Sequence, residues 1–168
     1  MQYLRKLRCI VYGVGCTVIA LLLCSCEGTT FNSSVPTYPV RVTIDTRGLF
    51  VNFTPEAMNS YITVNAQGYK ENGKYVKPVS AMDAWGYGGV VVYVSIFGYV
   101  AFDLACPYCA GQGRKESCEI VGMNAVCPHC GEEYDLGSGY ALPRKGISKE
   151  AMRKYNITNS GDKLTIVQ

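Results

Sequence analysis

Two short stretches in the back half of the chain hold the residues best suited to chemistry: Cys106-Pro107-Tyr108-Cys109 and Cys127-Pro128-His129-Cys130. Either one alone has the C-x-x-C spacing of a thiol–disulfide site, where a helix N-terminus stabilises the attacking thiolate. That chemistry needs a strand before the motif, a helix after it and a βαβ frame around both. A strand signal does precede Cys106. However, Ala110-Gly111-Gln112-Gly113 does not propagate a helix, and the 17 residues between the motifs leave no room for a crossover helix and a parallel strand. Taken together, C-x2-C-x17-C-x2-C falls in the spacing range of four-thiolate zinc sites. In each C-P-x-C the proline fixes φ, and the next two backbone amides can turn toward the first sulfur. Gly131 stands where the chain must reverse sharply, with φ expected to be positive. Two such knuckles on neighbouring hairpins would present Cys106, Cys109, Cys127 and Cys130 as a tetrahedron to Zn²⁺ or iron. A pair of disulfides is the alternative if the protein is exported.

The N-terminus points to export. Arg5, Lys6 and Arg8 form a basic region, an apolar run from Ile10 to Leu23 follows, and the run ends in Leu23-Cys24-Ser25-Cys26. This pattern reads as a secretory signal over residues 1–25. Small Ser25 before Cys26 resembles a bacterial lipobox, which implies acylation of Cys26 and a lipid anchor in the cell envelope, in the periplasm or at the outer membrane. Cys24 is a poorer acceptor, because bulky Leu23 precedes it. An uncleaved transmembrane helix is disfavoured, since the run falls short of about 20 apolar residues. The three basic residues of this region account for the whole formal charge of +3. The rest is formally neutral, so no basic field remains for nucleic acid.

Beyond the signal, residues 26–39 are polar, with Thr, Ser, Asn and Pro, and read as a flexible tether. Residues 40–168 suit one domain rich in Tyr, Val, Thr and Ile, without long helical stretches. Val40–Ile44 alternates as a half-buried strand. Leu49–Phe53 and Tyr61–Val64 are further strand candidates, and Gln67–Val79 reads as a hairpin or exposed loop. Gly89–Ser95 is a nearly continuous β-branched run, expected to be a central strand buried on both faces. Ile96-Phe97-Gly98 turns the chain, and Tyr99–Leu104 leads into the first cysteine motif. Glu133–Leu136 is a short strand, and Tyr155–Thr158 with Lys163–Val167 forms a terminal hairpin around Asn159-Ser160-Gly161-Asp162. Ser148–Lys154, with Ser148 as N-cap, is the one helix expected. The fold class is therefore all-β.

Four segments resemble a Rieske domain: Val100–Pro107, Ala125–Gly131, Tyr134-Asp135-Leu136-Gly137-Ser138-Gly139, and the tail with its Tyr155 strand, Gly161 turn and Leu164-Thr165-Ile166-Val167. The lipobox with two C-P-x-C pairs is similar to a group of Bacteroidetes lipoproteins with Rieske-like domains. The likeness covers roughly residues 85–168. It implies a small antiparallel β-sandwich with a rubredoxin-like two-knuckle metal subdomain in loops 104–139. A Rieske centre binds [2Fe–2S] through two Cys and two His, in C-x-H and C-x-x-H. Cys106 and Cys127 match the two cysteines, but Tyr108 stands at the first histidine position and Cys130 at the second. The only histidine in the chain is His129, so Cys109 and Cys130 most simply replace the imidazoles. All-cysteine ligation suits Zn²⁺ or a low-potential [2Fe–2S] cluster. A preassembled cluster is generally exported behind a twin-arginine signal, and Leu4-Arg5-Lys6-Leu7-Arg8 has none, which favours zinc.

His129 is expected to be an exposed knuckle residue and Cys118 a buried leftover thiol. Glu132, Glu133 and Asp135 read as solvent-facing strand residues, and Trp85–Gly89 as a plain strand entry. No catalytic constellation is credible around a lone histidine. Two functions follow: a metal-stabilised binding or structural module, and an electron carrier serving a redox or surface protein partner.

Overall fold

The structure, a computed structural model, describes residues 31–168. Residues 1–25, expected to be a signal, and Cys26 lie outside the described residues. The architecture is all-β and antiparallel, as the composition predicts. Nine strands form one sheet: β1 (Val40–Asp45), β2 (Tyr61–Asn65), β3 (Gly68–Glu71), β4 (Lys74–Lys77), β5 (Ala84–Trp85), β6 (Val90–Ser95), β7 (Gly98–Asp103), β12 (Lys154–Asn159) and β13 (Lys163–Val167). Their order is β4-β3-β2-β6-β7-β12-β13-β1-β5. A second, four-stranded sheet runs in the order β11 (Leu142–Lys145), β10 (Glu133–Asp135), β9 (Asn124–Val126), β8 (Glu119–Val121). One short helix, α1 (Pro107–Gly111), follows β7.

β6 organises the interior. Its six residues are all buried, and they divide by parity, because side chains alternate across a strand. Val90, Val92 and Val94 enter a core shared with Val42, Ile44, Ile62, Val64, Leu164 and Ile166. Strands from both halves of the nine-stranded sheet line this core, so the sheet folds over upon itself. Val91 and Tyr93 enter a second core with Phe102, Tyr134, Leu136 and the cysteines. The β-branched run is continuous because neither face of β6 meets water.

The predicted hairpins form. At the β3–β4 tip, Asn72 and Gly73 both have positive φ, as an Asn-Gly turn requires. Two expected elements do not. Leu49–Phe53 is a chain of turns: Phe50 and Phe53 are buried while Leu49 and Val51 are exposed, so no strand face forms. Ser148–Lys154 is not helical, because its backbone groups are engaged elsewhere. Ser148 N–H donates to Glu132, Met152 N–H to the Ala141 carbonyl, and the Arg153 carbonyl accepts from Asp103 N–H.

Residues 31–39 also differ from the free tether expected of them. Val35 is buried, and its carbonyl accepts from Arg153 Nε at 2.8 Å. Ser34 is held by Glu150, through its N–H at 2.7 Å and its hydroxyl at 2.9 Å. A polar sequence still docks when a half-buried cation and a carboxylate receive its backbone.

Asp103 ends β7 fully buried, with four donors. Its Oδ1 accepts from Gly88 N–H at 2.8 Å and Ala105 N–H at 2.7 Å. Its Oδ2 accepts from Tyr87 N–H at 2.8 Å and the Tyr155 hydroxyl at 2.5 Å. Trp85–Gly89 is therefore more than a strand entry. A Cβ on Gly86 would lie 2.7 Å from Asp103 Oδ2, and one on Gly88 2.4 Å from Ala105 N. Tyr155→Phe should cost about 1.5–3 kcal/mol, the range for a hydrogen bond to a charged group. Asp103→Asn, which turns an amide donor toward existing donors, should cost more. Chemical denaturation midpoints of the two variants check the order.

Candidate metal centre

The cysteine motifs sit at one end of the four-stranded sheet, against the second core. The first knuckle begins where β7 ends. Asp103 fixes Ala105, and Cys106 N–H donates to the Glu116 carbonyl at 2.8 Å. Pro107 then opens α1, at the position where a missing N–H costs nothing. The helix lasts a single turn: Ala110 N–H reaches the Cys106 carbonyl at 2.9 Å, and Gly113 leaves it with φ of 73°. The expectation that no helix would propagate holds, although the knuckle itself is helical.

The second knuckle joins β9 to β10. Cys127 N–H donates to the Glu132 carbonyl and Gly131 N–H to the Cys127 carbonyl, both at 2.9 Å. Gly131 has φ of 75°, as the sharp turn demanded. Glu132 itself departs from expectation. It is buried, not solvent-facing, and its Oε1 and Oε2 accept from Ile147 N–H at 2.7 Å and Ser148 N–H at 3.0 Å. Gly146 is required beneath it, since a Cβ there would lie 2.2 Å from the carboxyl group.

The knuckles bring the four predicted sulfurs together. The Sγ atoms of Cys106, Cys109, Cys127 and Cys130 all lie within 4.8 Å of one another. Cys106 and Cys130 approach to 3.6 Å and Cys109 and Cys127 to 3.7 Å, so each close pair joins one knuckle to the other. A tetrahedron with Zn–S of about 2.3 Å has an edge of roughly 3.8 Å, so the donor set fits a single ion. These separations are far beyond a disulfide bond of about 2.05 Å, and all five described cysteines are free. Cys106, Cys109 and Cys127 are buried, while Cys130 is partly open.

The surroundings favour negative charge at one sulfur. The Cys106 thiol is lowered to about 4, first by a hydrogen bond from Cys118, then by the Cys109 amide, the Tyr134 hydroxyl and Cys130, with burial opposing. Tyr134 is fully buried and its hydroxyl lies 3.5 Å from Cys106 Sγ. Burial pushes Cys130 up to about 11 and also raises Cys109. Cys118 is raised chiefly by its bond to Cys106. It is buried but outside the four-sulfur group. A cation among the sulfurs removes the repulsion that keeps the remaining thiols protonated.

His129 is exposed and outside the group; its Nε2 meets the Arg114 guanidinium. Both line a cleft of about 360 Å³ with Tyr108, Gln112, Cys109 and Cys130. This is the solvent side of the cluster. Sequence reasoning found the four clustered cysteines but missed Asp103 and Glu132, the carboxylates that hold the knuckles. An acid inside the apolar run Val100–Leu104 was a usable signal for Asp103. Nothing local distinguishes Glu132 from Glu133.

Fold and site define an antiparallel all-β protein with a four-cysteine cluster able to hold a metal ion. No protein-family profile matches the chain, and no curated protein matches it. Glu132→Gln and Gly146→Ala should each weaken metal binding by about 10–100-fold, the usual scale for disturbing an outer support. Competition against a zinc-responsive chelator measures it. Lys145→Ala, which removes an exposed pair at 2.9 Å with Glu133, should leave the affinity unchanged.

Proposed function

We propose that this chain is an exported, lipid-anchored envelope protein whose Rieske-like β domain carries a mononuclear four-thiolate zinc site. The zinc closes two loops and stabilises the fold, and the protein acts as a binding or structural module. The observation that carries this reading is the mutual closeness of all four sulfurs, within 4.8 Å. A [2Fe–2S] cluster sets two irons and bridging sulfides between two thiolate pairs, which spreads the sulfurs beyond one tetrahedron. Lack of a twin-arginine pair adds support for a metal acquired after export. The thiolates neutralise the ion, the Cys109 and Glu132 amides donate to Cys106 and Cys130, and the two buried carboxylates keep the loops in place. The lipid anchor rests on Cys26 and its signal-like context.

Electron transfer by a [2Fe–2S] cluster is the second reading. The Tyr134 hydroxyl and the amide donors at the sulfurs favour it, because hydrogen bonds to cluster sulfurs set reduction potential.

Metal analysis with absorbance decides between them. The purified full chain is expected to be colourless with one zinc, and Cys109→Ser or Cys130→Ser should abolish that stoichiometry and lower the denaturation midpoint. A brown protein that bleaches on reduction establishes the cluster instead. Metal retained in full by both variants would overturn the ligand set.

A further inference from the structure

The loops at the end of the four-stranded sheet away from the cysteines carry exposed apolar side chains where polar turn residues are the norm. The β6–β7 tip is Ile96-Phe97, 64% and 67% exposed. Phe97 packs edge-on against Tyr140, with ring centroids 5.9 Å apart, and Tyr140 against Phe31 at 6.0 Å. Phe31 is 71% exposed. Ile96 N–H donates to the Gly137 carbonyl at 3.4 Å, and the exposed Met123 borders Gly137. The result is a continuous apolar rim, not scattered surface residues. Lys154 adds a cation, its ammonium 5.4 Å from the Tyr140 ring centroid.

Two facts about the chain say what covers this rim. Phe31 of the rim lies five residues after Cys26, and from Ser33 onward the chain is held to the domain by Arg153 and Glu150. Five residues of chain reach about 18 Å at most even when fully extended. A lipid on Cys26 cannot lie far from Phe31, Tyr140 and Phe97. Aromatic rings beside a lysine are also the side chains that settle at a bilayer surface, the rings among headgroup carbons and the cation toward anionic phosphates.

We infer that the rim of Phe31, Ile96, Phe97, Met123 and Tyr140 rests on the lipid surface and orients the anchored domain. β9 and β10 run from this rim to the knuckles, with Met123 and Gly137 at one end and Cys127 and Cys130 at the other. Rim contact therefore turns the metal centre and its cleft away from the membrane. The inference rests on the reading of Cys26 as the lipid-bearing residue.

Tryptophan placement tests it in the full chain. Trp85 is the sole tryptophan, so Trp85→Phe supplies a silent background for Phe97→Trp or, at the metal end, the exposed Ile147→Trp. Each variant is reconstituted in vesicles of phosphatidylcholine and phosphatidylglycerol with brominated acyl chains, and circular dichroism verifies its fold. Emission from position 97 should shift to the blue and be quenched several-fold more strongly than that from position 147. Equal quenching at both positions in chains that float with the vesicles overturns the orientation and leaves the anchor standing. Chains that do not float, or that lack acyl label abolished by Cys26→Ser, overturn the anchor and the inference with it. A blue shift at position 97 indifferent to bromine, with cross-linked pairs of chains, assigns the rim to self-contact and overturns it as well.

Discussion

A carboxylate without water must be met by donors, and the metal centre depends on two that are. Asp103 is fully buried and receives three backbone amides and the Tyr155 hydroxyl. Glu132 is buried and receives two amides from the segment that follows β11. One lies three residues before the first cysteine of the first knuckle, the other two residues after the last cysteine of the second. Unpaired, either charge would be costly in such a site. Satisfied, each ties a loop that has little secondary structure of its own to distant parts of the chain. The glycines at 88 and 146 follow from this, since a methyl group at either would collide with the backbone or carboxyl group it approaches.

β6 carries the consequence into the rest of the molecule. Its even-numbered valines pack into the folded nine-stranded sheet, while Val91 and Tyr93 pack toward the cysteine-bearing layer. The two cores therefore share a wall. The cysteine-bearing loops on one side are backed by a strand whose other side is the main hydrophobic core. That arrangement suits a clasp that stabilises a fold, and it buries three of the four sulfurs while leaving Cys130 at the edge of the solvent cleft.

The polar opening segment changes the picture of how such a domain would sit in an envelope. A free tether over residues 26–39 would let it tumble. Docking of Ser33 to Val35 by Arg153 and Glu150 fixes this part of the segment and holds Phe31 at the aromatic rim. If Cys26 is acylated as proposed, a short connection and an apolar rim at the same place would act together, because a brief leash makes the nearest surface the one most often presented.

The sequence by itself determined the all-β class, the two-sided strand at Gly89–Ser95, the terminal hairpin, and the four cysteines with the sharp turn at Gly131. These are set locally: by β-branched runs, by period-two alternation, by turn chemistry, and by a C-x2-C spacing that gathers two sulfurs in each knuckle. Only the tertiary structure decided the rest. Ser148–Lys154 has a helix cap in sequence but gives its backbone to Glu132, Ala141 and Asp103. Leu49–Phe53 is apolar enough for a strand but turns the chain, with Phe50 and Phe53 buried and Leu49 and Val51 exposed. Asp103 is marked only as an acid within an apolar run and Glu132 not at all, because the partners that define their roles lie up to 52 residues away. Burial of a charge is a property of what surrounds it, and the surroundings of these two are assembled only when the chain folds.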